Sequence, residues 1–535
     1  MEESKFQEEQ LNHPFRAGAR KAHEKGKLAI FRLLFGRTMV TLLLIFLQIY
    51  FMYEVFSRVQ YSGIIKTIFD VVGAAAIIYI INCEENPAFK LAWMLPVCVF
   101  PVFGVSLYLF FMLNPGNRAL QKALNVRVDE TKPFLQTEYR IVEKLKKEDS
   151  GIRNLGRYIQ KYNHFPTYDH TKVSFLSSGE RKYEDLMREL KKAEKFIFIE
   201  YFIINRGKVW DSVLEVLEEK AAQGVEVRVM YDGMCSLVAL PHNYPKELRK
   251  KGLKAKAFSP IKPLLSTHQN NRDHRKILVI DGKVAYNGGV NLADEYMNMK
   301  KRYGQYWKDT AVKSEGDAVK SFTLMFLQMW NISERGVEDY EKYILPPMDI
   351  NLGDGFVIPY NDDPTNRLDI AESVYLDMIN RANDYVHIMT PYLIIDNEMV
   401  TALSFAAQRG VDVKIMLPGS PDKKSVYAIA RTYYPQLLEA GVKIYEYKPG
   451  FLHAKEFISD DIKAVVGTIN LDYRSLYEHF ECGTYIYKNP VIHEIEKDYK
   501  ETLKKCRKVD YQYYVDLPWW YRIAGHVLRL VGPLV

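Results

Sequence analysis

HRKILVID at residues 274–281 and HAKEFISD at 453–460 share the spacing H-x-K-x-x-x-x-D, with His274, Lys276 and Asp281 in one copy and His453, Lys455 and Asp460 in the other. Each copy is followed at the same interval by a small-residue turn and an asparagine, GGVN ending at Asn291 and GTIN ending at Asn470. Successive side chains of a strand alternate faces, so His274 and Lys276 project the same way, as do His453 and Lys455. Each strand then offers one imidazole beside one ammonium, and two such strands make one active site. Asp281 and Asp460 complete the motif where the apolar run ends, before Gly282 and Asp461, and read as turn residues that close the strand.

The repetition reaches well beyond the motif. AEKFIFIEYFII at 193–204 is echoed by ANDYVHIMTPYLII at 382–395, KAAQGVEVRVM at 220–230 by FAAQRGVDVKIM at 405–416, and KGLKAKAF at 251–258 by AGVKIYEY at 440–447. Each half is expected to run helix, strand, helix, strand, helix, strand and then the motif strand, which is an α/β lobe. Duplicated lobes facing each other about a pseudo-two-fold axis bring His274 and His453 into one cleft. The expected fold class is therefore α/β, two duplicated lobes preceded by N-terminal transmembrane helices.

Membrane segments are read from the first part of the chain. Residues 38–56 form an apolar run with no formal charge before Glu54, and 91–113 is a second uncharged run. Residues 64–82 are apolar apart from Lys66 and Asp70 near the start, so two or three spans are open. Eight Lys and Arg residues within 1–37 place the N-terminus in the cytoplasm; three spans put the lobes outside and two keep them inside. The domain reading is a basic segment 1–37, a transmembrane region 38–113, a linker 114–164, a first lobe 165–345, a second lobe 346–512 and a C-terminal segment 513–535. In the last, PWWYRIAGHVLRLVGPLV at 518–535 has the spacing of an amphipathic helix, lying on the bilayer or packed on the lobes.

Composition sets the limits. With 535 residues, 48% of them hydrophobic, the chain builds large cores and is not disordered. A net charge of +7 is modest over this length and does not choose between anionic lipid and nucleic acid. The five cysteines, Cys83, Cys98, Cys235, Cys482 and Cys506, show neither C-x-x-C pairs nor metal-ligand spacing, so neither a disulfide framework nor a zinc site is expected. An anionic group suits the paired motifs: Lys276 and Lys455 would neutralise it and Asn291 and Asn470 would donate hydrogen bonds, with no metal or other cofactor expected.

The double motif resembles the phospholipase D superfamily. NPAFKLAW at 86–93, FIEYFII at 198–204, TPYLI at 390–394 and NLDYRSLYEHFE at 470–481 narrow the resemblance to bacterial cardiolipin synthases over almost the whole chain. One departure is that the superfamily's G-S-x-N reads Gly288-Gly289 in the first copy and Gly467-Thr468 in the second, so only Thr468 keeps a hydroxyl. The resemblance implies two phospholipase D-type lobes and a ping-pong reaction. One histidine attacks phosphorus to give a phosphohistidine; the other protonates the departing alkoxide and then deprotonates the acceptor alcohol. By the same resemblance His274 is the nucleophile, although the two roles are exchangeable. Glu481 matches the family's histidine-orienting glutamate and is assigned to His453; Asp309 in YWKDT matches the acidic position after the first motif.

The expected activity is transfer of a phosphatidyl group from one phosphatidylglycerol to another, giving cardiolipin and glycerol at the bacterial cell membrane, with the chain multi-pass. Alternatives are another phosphatidyltransferase or a phospholipase D hydrolase, and further off a membrane-anchored nuclease or a non-catalytic scaffold. Expected partners are phosphatidylglycerol and the membrane, not nucleic acid; oligomeric state is open.

Overall fold

The computed structural model describes residues 63–534 apart from 113–114, 236–238, 261–270, 335, 347–352 and 367, together with scattered positions between 46 and 57. The first lobe contains β1 (Thr171–Leu176), β2 (Phe196–Tyr201), β3 (Glu226–Asp232), β4 (Lys254–Phe258), β5 (Arg272–Asp273), β6 (Lys276–Ile280), β7 (Val284–Gly288), β8 (Tyr306–Lys308) and β9 (Ala311–Gly316). The second contains β10 (Phe356–Asp362), β11 (Tyr385–Met389), β12 (Leu393–Ile394), β13 (Asp412–Pro418), β14 (Lys443–Tyr447), β15 (Gly450–Leu452), β16 (Glu456–Ser459), β17 (Lys463–Gly467), β18 (Leu471–Asp472), β19 (His479–Tyr487) and β20 (Cys506–Val509).

The main sheets run β1-β9-β7-β6-β2-β3-β4 and β10-β19-β17-β16-β11-β13-β14-β20, equivalent position by position up to the added β20. In each, three strands are parallel, β2-β3-β4 and β11-β13-β14, joined by helices such as Lys208–Ala222 and Asn397–Gln408. The remaining ladders are antiparallel, and the motif strands β6 and β16 sit at the sheet centres. FIFIEY of β2 is buried at every position, as a strand covered on both faces requires. The repeat comparison omits β1 and β10, which pair antiparallel with β9 and β19 as the opening strand of each lobe.

The lobes hold each other by exchanging short strands. Arg272 and Asp273 of β5 pair with His479 and Phe480 of β19, and Gly450–Leu452 of β15 pairs with Tyr306–Lys308 of β8. The segment entering each motif histidine is thus a strand partner of the other lobe. The helix Val319–Asn331 packs between, touching β2, β6 and β7 as well as β10, and stacks Phe326 on Phe198 at 4.7 Å.

Two expectations outside the lobes, the 91–113 span and the 114–164 linker, need correction. Residues 91–113 are not one span: they turn back as two helices, Pro87–Val99 and Pro101–Met112, with the Trp93 ring 5.7 Å from Tyr108 and 5.0 Å from Phe111. Pro96 and Pro101 interrupt the helical hydrogen bonding, and a Cβ on Gly104 would meet the Pro96 carbonyl oxygen at 2.3 Å, so only glycine allows the close return. The helix Gly63–Asn82 covers the expected 64–82 span, whereas 1–37 and most of 38–56 lie outside the described residues. Among the described residues no helix is long and apolar enough to cross a membrane. The 114–164 stretch is not a free linker but helices Pro115–Thr131, Tyr139–Lys147 and Ser150–Tyr162, which bury Leu124, Ile141, Leu145, Ile152 and Ile159 in the main core. The C-terminal helix Trp519–Leu530 packs on Lys424–Arg431, where a Cβ on Gly525 would meet the Ala428 carbonyl oxygen at 2.7 Å. Its other face leaves Trp519, Trp520, Ile523 and Val527 exposed.

Candidate active site

Strand exchange decides which carboxylate meets which histidine. The His274 N–H donates to the Phe480 carbonyl at 2.9 Å, so the next residue, Glu481, reaches the imidazole: its Oε1 lies 2.7 Å from His274 Nδ1. In the other half the His453 N–H donates to the Lys308 carbonyl at 2.7 Å, and Asp309 Oδ2 lies 2.7 Å from His453 Nδ1. The assignment of Glu481 to His453 is therefore corrected: each carboxylate holds the histidine of the opposite lobe. A carboxylate accepts from Nδ1–H, which leaves the lone pair on Nε2.

The two departures from G-S-x-N follow from these carboxylates. The Thr468 hydroxyl donates to the second oxygen of Glu481. At Gly289 a Cβ would stand 2.1 Å from Asp309 Oδ1, so the side chain absent there is the room that Asp309 occupies. That oxygen accepts from the Thr310 N–H at 2.9 Å instead.

Asp281 and Asp460 lie at the opposite ends of the motif strands from the histidines. Asp281 accepts from the N–H groups of Glu194, Lys195 and Phe196 at 2.7–2.8 Å, and Asp460 from those of Asn383, Asp384 and Tyr385 at 2.9–3.0 Å. They tie the motif turn to the start of β2 and β11, the strand-closing role read from their place in the sequence. Lys276 and Lys455 donate to the carbonyls of His274 and His453, keeping ammonium and imidazole side by side. Asn291 accepts through Oδ1 from the Ile203 N–H at 2.9 Å, whereas Asn470 Oδ1 is buried with no partner among the described residues.

Burial governs the electrostatics. It pushes His274 well below the ordinary imidazole value, helped by Lys276, Lys455 and His453. Burial and Lys455 bring His453 down to about 4 against the pull of Asp309. The lysines are lowered too, Lys276 to about 8 and Lys455 to about 7, chiefly by desolvation that the nearby carboxylates only partly offset. Burial raises Asp309, but His453 and Lys455 outweigh it and hold the carboxyl below its usual range. The result is two neutral imidazoles among clustered cations, a site short of an anion.

Three further side chains belong to the site without being singled out by the H-x-K spacing, although Phe202 and His479 fall within FIEYFII and NLDYRSLYEHFE. Lys182 is fully buried, donates to the Val290 carbonyl at 2.9 Å and is lowered to about 7, mainly by desolvation. Phe202 lies edge-on to His274 at 4.9 Å. His479, within EHFE, is buried with its ring 5.4 Å from that of His274. Glu200 is a partnered acid, 2.5 Å from Arg275.

Two equivalent α/β lobes, each supplying one His-Lys strand to a shared site, define the phospholipase D type of architecture, and comparison with known proteins agrees. A family model described as "Cardiolipin synthase, PLD-like domain" matches residues 186–330 and 375–503, just over half of the chain, and one described as "Phospholipase D-nuclease N-terminal" matches 71–111. A cardiolipin synthase of Geobacillus kaustophilus is 35% identical over 89% of this chain and 95% of its own length. An uncharacterized protein of Streptococcus mutans is 50% identical over 86% of this chain and 99% of its own length. The crystal structure of a phosphatidylserine synthase of Haemophilus influenzae superposes with a TM-score of 0.55 over 71% of this chain and all of that one; at 14% identity this is a likeness of fold. The chain belongs to the cardiolipin synthase family of the phospholipase D superfamily.

Proposed function

We propose that the protein transfers a phosphatidyl group from one phosphatidylglycerol to the headgroup hydroxyl of a second, releasing glycerol and forming cardiolipin. The carrying observation is the reciprocal clamp, in which each motif histidine is fixed through Nδ1 by a carboxylate of the opposite lobe. His274 Nε2 attacks phosphorus as the P–O bond to glycerol breaks, giving a phosphatidyl-histidine. His453 gives its proton to the leaving glycerol oxygen. It next takes the proton of the incoming hydroxyl, whose oxygen displaces His274 from phosphorus. Lys276 and Lys455 hold the phosphoryl oxygens, with the amide donors of Asn291 and Asn470.

His453 is lowered to about 4 in the substrate-free cleft, yet the reaction needs it protonated. The anionic phosphodiester supplies the difference: it offsets Lys276 and Lys455, leaving Asp309 to draw a proton onto His453. Burial likewise holds His274 well below the ordinary imidazole value, so it is neutral, as a nucleophile must be.

The reaction takes place at the bacterial cell membrane. Residues 38–56 and the helix Gly63–Asn82 provide the attachment; Ile68, Val71, Ile78 and Ile81 of that helix are more than half exposed and suit a lipid environment. The lobes, 165–345 and 346–512, act as one unit about a pseudo-two-fold axis. Rapid quenching with phosphatidylglycerol followed by peptide mass spectrometry tests the scheme. A phosphatidyl adduct on the peptide containing His274, absent in His274→Ala, supports it; an adduct on His453 exchanges the roles, and no adduct on either histidine excludes the covalent route.

A further inference from the structure

His479 is a third imidazole in this cleft, and the transfer scheme gives it no part. Its Nδ1 is 3.8 Å from the Glu481 oxygen that also meets His274 Nδ1 at 2.7 Å. His274, His479 and Glu481 are 6%, 8% and 0% exposed, and one ligand atom from each lies within 4.8 Å of the others. Among the described residues neither ring nitrogen of His479 has a hydrogen-bond partner. Burying a polar atom without a partner is costly, so an imidazole with both nitrogens unpartnered is poised to take a ligand.

Two imidazoles and a carboxylate are a donor set for zinc and its neighbours in the transition series; calcium and magnesium prefer shells of oxygen. We propose that His274, His479 and Glu481 form an inhibitory binding site for a divalent transition-metal ion such as Zn2+. Metal bonds of about 2.0–2.1 Å place tetrahedral ligand atoms about 3.3 Å apart, so the 2.7 Å pair must part and the 3.8 Å pair must close by about half an ångström, while the two imidazoles start within 4.8 Å. Coordination at His274 Nδ1 displaces the proton there to Nε2, which removes the lone pair that attacks phosphorus. Coordination at Nε2 occupies that lone pair directly. Transfer stops in either case and resumes when a chelator withdraws the metal. The inhibitory consequence rests on the transfer reading; the binding itself does not.

The test is titration of the purified full chain in detergent with Co2+, read by its visible absorption and by competition with Zn2+. The expected result is one Co2+ per chain, a band lost in His479→Ala, and affinity at least tenfold weaker in His479→Asn, with circular dichroism unchanged in both. Should His479→Ala unfold, His479→Asn carries the comparison. Zn2+ should inhibit transfer over the range in which it displaces Co2+, and EDTA should restore it. No band at stoichiometric metal, or binding in the His479 variants equal to that of the unsubstituted chain, overturns the site. Absence of transfer in metal-free protein counts against the transferase reading and leaves the Co2+ titration decisive for the site.

Discussion

At the scale of single residues, the clamp makes predictions that a same-lobe pairing does not. His274→Ala and His453→Ala should each lower transfer by about 10³-fold or more while the melting temperature stays near that of the unsubstituted chain, since acid-base and nucleophilic roles carry effects of that order. In double-mutant cycles on the transfer rate, Glu481→Gln should couple to substitution of His274, and Asp309→Asn to that of His453; the opposite pairing would contradict the crossed geometry. The pH dependence follows from the lysines. Lys455 and Lys276 are lowered to about 7 and about 8, so they are charged below those values and neutral above. Capture of an anionic phosphodiester is therefore kept on the acid side, and kcat/KM should fall as pH rises through 7 to 8. The two His-Lys pairs were legible because the H-x-K spacing occurs twice, each copy leading into a buried strand. The partner of each was not, because it depends on β5 and β15 joining strands of the other lobe, and no spacing within one lobe encodes that exchange.

At the scale of elements, glycines and prolines mark where the sequence pattern and the structure part. Gly289→Ser restores the superfamily residue, yet its Cβ would stand 2.1 Å from Asp309 Oδ1. Because a displacement of about 1 Å in a catalytic group can cost about 10²-fold, transfer should drop by that order, measured as kcat on vesicles. The apolar run 91–113 has the composition of a span, but Pro96, Pro101 and Gly104 fold it into a hairpin, and an average over the run does not register three residues. Strands β1 and β10 were missed because they precede the repeated phrases. The 114–164 stretch reads as a linker by its many charges, yet Leu124, Ile141, Leu145, Ile152 and Ile159 form a buried stripe along its helices. Phe326 tests the layer between the sheets: Phe326→Ala should destabilise the chain by about 3–5 kcal/mol, read by denaturant unfolding.

At the scale of the whole molecule, duplication builds one cleft from two lobes, and the N-terminal and C-terminal helices leave apolar faces exposed. Trp519 and Trp520 are 68% and 59% exposed on a helix whose opposite face is packed on the second lobe. Replacing both with alanine should weaken flotation with phosphatidylglycerol vesicles while transfer in detergent persists; unchanged flotation would show that this face does not meet the bilayer. The central claim is metal-independent phosphatidyl transfer by the crossed histidine pair. Its most direct test is analysis of the lipids made by the purified protein from phosphatidylglycerol alone with EDTA present. Cardiolipin together with released glycerol is the predicted result; phosphatidic acid as the sole product, or no turnover until a metal is supplied, would contradict it.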